Sequence, residues 1–207
     1  PKLINATETI MIQRWSQYFA ACITALVLAA PASAAVITFD NLAGANEAPF
    51  TSPYVEGGYT VTPGAGWLTG QIYGNAIPSI FSGPFYGMAG PREITVTGGT
   101  FTFDAVDLSS NVAAGTTYNF VGSLLGSTVF DLSGTLGSTG FSTILSSSAA
   151  VIDSLTIIMT PAAGVTSYNI DNIVVNAASV AVPAPVTLSL LGLGLVGLAA
   201  ARRKRAP

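Results

Sequence analysis

Between residues 36 and 180 the apolar residues do not recur at helical spacing. They fall in short alternating runs rich in Val, Ile, Thr, Phe and Tyr, separated by Gly, Ser and Pro. Such runs, bounded by turn residues, predict β-strands. The pattern places them at 36–40, 58–62, 71–73, 79–81, 93–97, 100–108, 117–122, 127–132, 141–145, 154–159 and 168–175. Gly98-Gly99 stands between EITVT and TFTFD and predicts a two-residue hairpin turn. In Phe101-Thr102-Phe103 the alternation points both rings inward and the threonine outward. The fold class implied is all-β, an antiparallel β-sandwich of jelly-roll-like form. Segment 43–91 breaks the rhythm with six prolines and eight aromatics, and predicts long loops over shorter strands.

The two ends follow a different pattern. Residues 1–10 precede Met11 and read as an upstream or non-native extension. From Met11 the chain carries Arg14, an apolar run over 18–30, and then Pro31-Ala32-Ser33-Ala34. A charged start, an apolar centre and small residues at Ala32 and Ala34 describe a signal peptide over 11–34. Cleavage is expected after Ala34, with Ala35 the alternative; a short N-terminal anchor is the competing reading. The β-sandwich domain is then expected over 35–181, with a sorting segment over 182–207.

At the other end, 186–201 holds 16 uncharged residues, followed by Arg202, Arg203, Lys204 and Arg205. As a helix this run spans about 24 Å at about 1.5 Å per residue. That falls somewhat short of a hydrocarbon core of about 30 Å, and flanking side chains can snorkel to cover the gap. The segment predicts a single transmembrane helix, with the basic cluster as a stop-transfer signal held on the cytoplasmic side. A buried core helix is the alternative.

Charge sharpens the division. The 207-residue chain is 50% apolar and only 8% charged, with a mean hydropathy of +0.58. Between 36 and 180 one cation, Arg92, stands against nine acids, a net charge of −8. An acidic body lacks the basic face that nucleic-acid binding requires, so no nucleic-acid partner is expected. There is no histidine, which removes Ser–His–Asp and Cys–His catalysis and imidazole metal sites. The one cysteine, Cys22, falls in the expected signal peptide, so the exported body would rely on its core rather than on disulfides.

The C-terminal end has three parts in order: Val182-Pro183-Ala184-Pro185-Val186-Thr187, a Leu/Gly/Ala-rich apolar run, and the Arg/Lys cluster. In this it resembles the PEP-CTERM sorting signal of Gram-negative bacteria. Pro183-Ala184-Pro185 stands where the family has Pro-Glu-Pro. The resemblance implies that Val182, Pro183, Ala184, Pro185 and Thr187 form the sorting motif. It also implies an exosortase-type membrane protease as partner. The chain would be that enzyme's substrate: exported, held at the inner membrane as a precursor, then passed to the cell envelope, cell surface or extracellular matrix. The two prolines keep the motif extended and accessible. A second, looser resemblance rests on ITFDNL, TFTFDAVDLSS and YNIDNIVVNA. These look like the bodies often joined to this signal, β-sandwiches similar to carbohydrate-binding jelly-rolls.

The body's candidate chemistry is narrow. Acid–base work falls to carboxylates such as Glu47, Glu56 and Glu93, so a small secreted carboxylate-dependent glycoside hydrolase is the catalytic alternative. No catalytic constellation can be named, and the body is expected not to be an enzyme. Asp40-Asn41 after the first strand and Asp171-Asn172 in the last would meet if the terminal strands lie side by side. They are the candidate ligands for a structural calcium, the one cofactor considered. The same residues suit turn and edge-strand hydrogen bonds. Trp67, Tyr73 and Tyr86 are the candidate platform for stacking on exopolysaccharide, and each equally suits packing beneath the loops.

Overall fold

The computed structural model describes residues 34–178, and within them the alternating runs become eleven strands. They are β1 (Ala34–Ile37), β2 (Tyr54–Glu56), β3 (Tyr59–Pro63), β4 (Leu68–Gly70), β5 (Ser79–Ser82), β6 (Arg92–Ser110), β7 (Thr117–Leu124), β8 (Ser127–Thr135), β9 (Gly140–Leu145), β10 (Ile152–Thr160) and β11 (Tyr168–Ala177). One 3₁₀ turn covers Pro84–Tyr86. Every strand pairing is antiparallel.

The 19-residue β6 is the spine of the sheet. Its first half lies between β3 and β10, with Val96 opposite both Val61 and Leu155. Its second half lies between β9 and β11, with Leu108 opposite both Ser142 and Ile170. From the first half the sheet continues through β10 to β7 and β8; from the second it continues through β11 to β5 and β4. The far edge of β11 is taken by β5 over Tyr168–Ile170 and by β1 over Ile173–Asn176, so the first and last strands are neighbours.

The expected hairpin at Gly98-Gly99 is not there: β6 runs straight through it. The dipeptide makes a bend instead. Ile152 pairs with Phe101 and Ser154 with Thr97, so two steps along β10 cover four along β6. The surplus residues bulge at the glycines, and Gly99 sits at φ 49. A Cβ on Gly98 would lie 2.8 Å from the carbonyl oxygen of Gly58. A strand glycine marks this kind of bend and close backbone approach.

The bend lets the inward faces of both halves of the sheet share one core. Ile94, Leu155, Ile157 and Met159 from the first half are fully buried, as are Phe103, Leu108, Ile170 and Val175 from the second, and all belong to one cluster. Phe103 meets Phe120 of β7 edge to face, ring centroids 5.1 Å apart. Phe101 and Phe103 point inward and Thr102 is half-exposed, as their alternation requires. Across β7 and β8, Gly122 faces Phe130 and Gly134 faces Tyr118. Each ring lies where the glycine's Cβ would be, covering backbone that a glycine leaves bare.

Two strands, β2 and β4, fall outside the predicted runs, in the Pro-rich stretch read as loops. The strand expected at 71–73 is a loop, because residues 71–78 carry the chain from β4 to β5. The first strand ends at Ile37, before the predicted 40, because the backbone turns at Phe39, φ 60. Glu56 holds that turn: its carboxylate accepts from the N–H of Thr38 at 2.9 Å, the N–H of Phe39 at 3.0 Å and Thr38 Oγ1 at 2.8 Å. Ala34 and Ala35, the expected cleavage positions, are the first residues of β1, opposite Asn176 and Val175. The remainder of the expected signal peptide, the motif over Val182, Pro183, Ala184, Pro185 and Thr187, the apolar run and the basic cluster lie outside the described residues. Among the described residues no helix is long and apolar enough to cross a membrane.

Candidate functional site

The aromatic candidates separate by burial. Trp67 is 1% exposed. Its indole N–H donates to the carbonyl of Glu93 at 2.7 Å, and its ring meets Tyr168 edge to face at 5.9 Å. A ring enclosed in this way has no face to offer a ligand, so Trp67 belongs to the core and not to a sugar platform. Tyr73 is 41% exposed and Tyr86 is half-buried. These two rings line one cleft of about 160 Å³. The volume is below the roughly 300–1,000 Å³ of pockets that engulf a ligand, which suits a ring-sized group resting on a surface.

Each tyrosine ring is held by neighbouring aromatic rings. Phe141 of β9 stacks on Tyr73 at 5.5 Å and 28°. Tyr86, at the end of the 3₁₀ turn, meets Phe81 at 5.0 Å and Phe85 at 5.1 Å, both edge to face. The Tyr73 loop is pinned along its length. Gln71 donates from its N–H to Asn46 Oδ1 at 2.9 Å, Ser79 Oγ donates to the carbonyl of Tyr73 at 2.7 Å, and the N–H of Asn75 donates to Asp171 Oδ2 at 2.7 Å.

The polar wall comes from residues to which sequence reasoning gave no role in sugar binding. Asn111, just past β6, donates from Nδ2 to Ser167 Oγ at 2.8 Å and to Asn169 Oδ1 at 2.9 Å. Asn169 is itself buried, accepting from Ser109 Oγ at 3.0 Å and donating to Ser79 Oγ at 3.1 Å. These bonds fix the amides before any ligand arrives. Asn46 and Glu47 also line the cleft. Burial first, and then the charge of Glu47 and a hydrogen bond to it, raise the Tyr86 phenol above its ordinary pKa, so it remains protonated. Among the described residues Glu47 is the one charged residue lining the cleft. Nothing local in the sequence marks Asn111, Ser167 or Asn169; they meet because β11 pairs with the end of β6.

Glu56 and Glu93 are not among the residues lining this cleft. Glu56 is committed to the turn after β1, and it also accepts from the Tyr54 hydroxyl at 3.1 Å. Burial, with Glu56 as a lesser cause, pushes that phenol up to about 12. Glu93 is exposed on β6, and its carbonyl oxygen also accepts from the N–H of Gly64 at 2.9 Å.

The candidate calcium ligands are brought toward one another, since β1 and β11 pair and the charge of Asp40 acts on Asp171. No hydrogen bond joins Asp40 or Asn41 to Asp171 or Asn172. Both oxygens of the fully buried Asp171 are taken by backbone N–H groups: Asn75 at 2.7 Å and its own neighbour Asn172 at 2.8 Å. Asn172 donates from Nδ2 to the carbonyl of Asn75 and to Asp107 Oδ2, the latter at 2.9 Å. Asp107, directly opposite Asp171 on β6, also accepts from Asn75 Nδ2 at 3.1 Å and Thr143 Oγ1 at 2.6 Å. These oxygens are satisfied by protein donors in the manner of turn and edge-strand bonds. Among the described residues no group of three or more His, Cys, Asp or Glu is arranged to hold a metal ion.

No protein family and no curated protein matches the chain. Among solved structures it is similar to a family 29 carbohydrate-binding module from Piromyces equi, at 11% identity and a TM-score of 0.40 over 73% of this chain and 94% of that one. It is similar to the family 32 carbohydrate-binding module of C. perfringens NanJ in complex with galactose, at 15% identity and a TM-score of 0.37, over 53% of this chain and 92% of that one. It is also similar to the K3 cleaved adhesin domain of Lys-gingipain from Porphyromonas gingivalis, at 12% identity and a TM-score of 0.40, over 70% and 99%. Identity and TM-score are low in all three, and the functional reading rests on the cleft.

Proposed function

We propose that this chain is an exported cell-envelope or extracellular-matrix protein whose β-sandwich, jelly-roll-like in form, binds exopolysaccharide in the Tyr73–Tyr86 cleft and is not an enzyme. One observation carries the reading. Two tyrosine rings, each packed against a neighbouring aromatic, line one small cleft together with hydrogen-bonded amides and one carboxylate. Aromatic faces take the apolar C–H surface of a pyranose, and amide and carboxylate groups take its hydroxyls. The hydrolase alternative needs two carboxylates about 5–9.5 Å apart across the substrate, and Glu47 is the only one lining this cleft.

Tyr73→Ala removes one stacking face without touching the core, since the residue is 41% exposed. An aromatic contact of this kind contributes about 0.5–1.5 kcal/mol, so a roughly 2- to 10-fold loss of affinity is expected. Affinity electrophoresis through gels cast with the cell's own exopolysaccharide measures it, with the unfolding midpoint as a control for folding. Retention equal to that of the unaltered chain would remove Tyr73 from the site.

Sorting belongs to the same proposal. The motif from Val182 to Thr187, an apolar span over 186–201 and a basic end support the reading of a precursor held in the inner membrane with exosortase as partner. Intact-mass analysis of envelope-associated protein is expected to give a species beginning near Ala35 and ending near Val182 in cells with exosortase. In cells without it, the C-terminal segment is expected to be retained. The same C-terminus in both would leave the tail as a plain anchor.

A further inference from the structure

We propose that the Tyr73–Tyr86 cleft selects sugars bearing a free ammonium group over neutral and N-acylated sugars, and rejects polyuronates, with Glu47 as the residue that decides. The inference rests on the polysaccharide-binding reading of this cleft and adds to it the charge class of the ligand.

The cleft's electrostatics are one-sided. Glu47 is the sole charged lining residue, and it sits against the Tyr86 hydroxyl. The body's one cation, Arg92, is not among the lining residues and donates to the carbonyls of Pro91 at 3.1 Å and Ala89 at 3.2 Å. Among the described residues no guanidinium or ammonium lines the cleft to neutralise a carboxylate. A uronate seated there would meet Glu47 directly, within the field of a body whose net charge is −8. At about 0.1 M salt the Debye length is about 10 Å, so charges beyond the cleft contribute less than Glu47 does.

An ammonium on the same pyranose reverses the sign. It can donate to the Glu47 carboxylate while its ring rests on the tyrosines, whose faces carry the negative end of the aromatic quadrupole. Glu47 is exposed; its carboxylate accepts from Asn46 Nδ2 at 3.4 Å and from the Tyr86 hydroxyl, and since an ionised carboxylate offers about four lone-pair sites it keeps acceptor capacity for a ligand. Asn46, Asn111 and Ser167, which also line the cleft, carry no net charge and so do not alter this preference. The exposed ion pair and the cation–aromatic contact together give a preference of about 3- to 10-fold for the aminated ring.

The test titrates the full chain with three oligosaccharides of equal length: a fully deacetylated glucosamine oligomer, its N-acetylated counterpart and a polyuronate. All three titrations run at the same mildly acidic pH and the same low salt. The expected result is a 3- to 10-fold tighter Kd for the glucosamine oligomer than for the acetylated one, with the polyuronate weakest. That ratio should fall toward one in Glu47→Gln and at high salt. Binding of the acetylated oligomer with no preference for the amine, or tighter binding of the polyuronate, overturns the charge selection and leaves the polysaccharide reading in place. A preference that persists in Glu47→Gln also overturns it, because the selection then comes from elsewhere. Failure of all three to bind overturns the polysaccharide reading and this inference with it.

Discussion

Trp67→Ala is expected to lower the stability of the β-domain by about 3–5 kcal/mol, the usual cost of truncating a fully buried aromatic residue. The residue lies just before β4, and two elements enclose it. Its N–H donates to the carbonyl of Glu93 on β6 at 2.7 Å, and its ring packs against Tyr168 on β11. Removing the indole therefore opens a cavity between the two strands that organise the sheet. The Glu93 carbonyl keeps its bond from Gly64, so the cost comes chiefly from lost packing and not from an orphaned acceptor. A domain of this size typically has about 5–15 kcal/mol of stability in all, so the variant would unfold at a much lower denaturant concentration. Trp67→Phe keeps most of the apolar volume and loses the hydrogen bond, with a smaller expected cost of about 1–2 kcal/mol. Equilibrium denaturation of the three proteins decides the matter. A Trp67→Ala midpoint equal to that of the unaltered chain would mean that the indole is not enclosed.

The second large effect concerns pH. Asp171 is fully buried on β11. Burial is the main cause that raises its pKa, the charges of Asp107 and Asp40 add to it, and the N–H groups of Asn75 and Asn172 oppose it; together they push it up from 3.8 to about 6. The folded protein thus holds this proton more tightly than the unfolded chain. The resulting stabilisation is fully present below about pH 3.8 and is lost as pH rises through about 6. Two pKa units at about 1.36 kcal/mol each set its size at up to about 3 kcal/mol. Stability measured by denaturant titration should therefore fall between about pH 4 and 7, and Asp171→Asn, which cannot ionise, should flatten the fall. Profiles of equal slope in the two proteins would show that Asp171 does not carry the effect. The same carboxylate holds the Tyr73 loop through Asn75, so its titration also bears on how firmly that loop is held.

The strand pattern is legible where β-branched and aromatic residues alternate with polar ones between turn residues. The runs around Val96, Phe103, Phe120, Ile157 and Val175 all became strands with their apolar side in the core. Gly98-Gly99 was misleading because two glycines serve a tight turn and a strand bend equally well. What decides between them is the backbone at Gly58, some forty residues earlier and invisible to a local pattern. Likewise Trp67, Tyr73 and Tyr86 look alike in a Pro-rich stretch, and only the loop path buries one ring and exposes another. Asp171 was singled out, whereas its partner Asp107 was not. The contact depends on register between β6 and β11, and a single sequence carries no signal for that pairing. Asn111, Ser167 and Asn169 escaped notice for the same reason.

The central claim is that the cleft beside Tyr73 and Tyr86 is where polysaccharide rests. Backbone amide shifts of the isotopically labelled chain, followed as fragments of its exopolysaccharide are added, test that claim most directly. The account predicts saturable shifts at Asn46, Glu47, Tyr73, Tyr86, Asn111 and Ser167. Shifts that spare these residues and gather instead along the groove between Thr102–Ala105 and Leu145–Ala149 would contradict it.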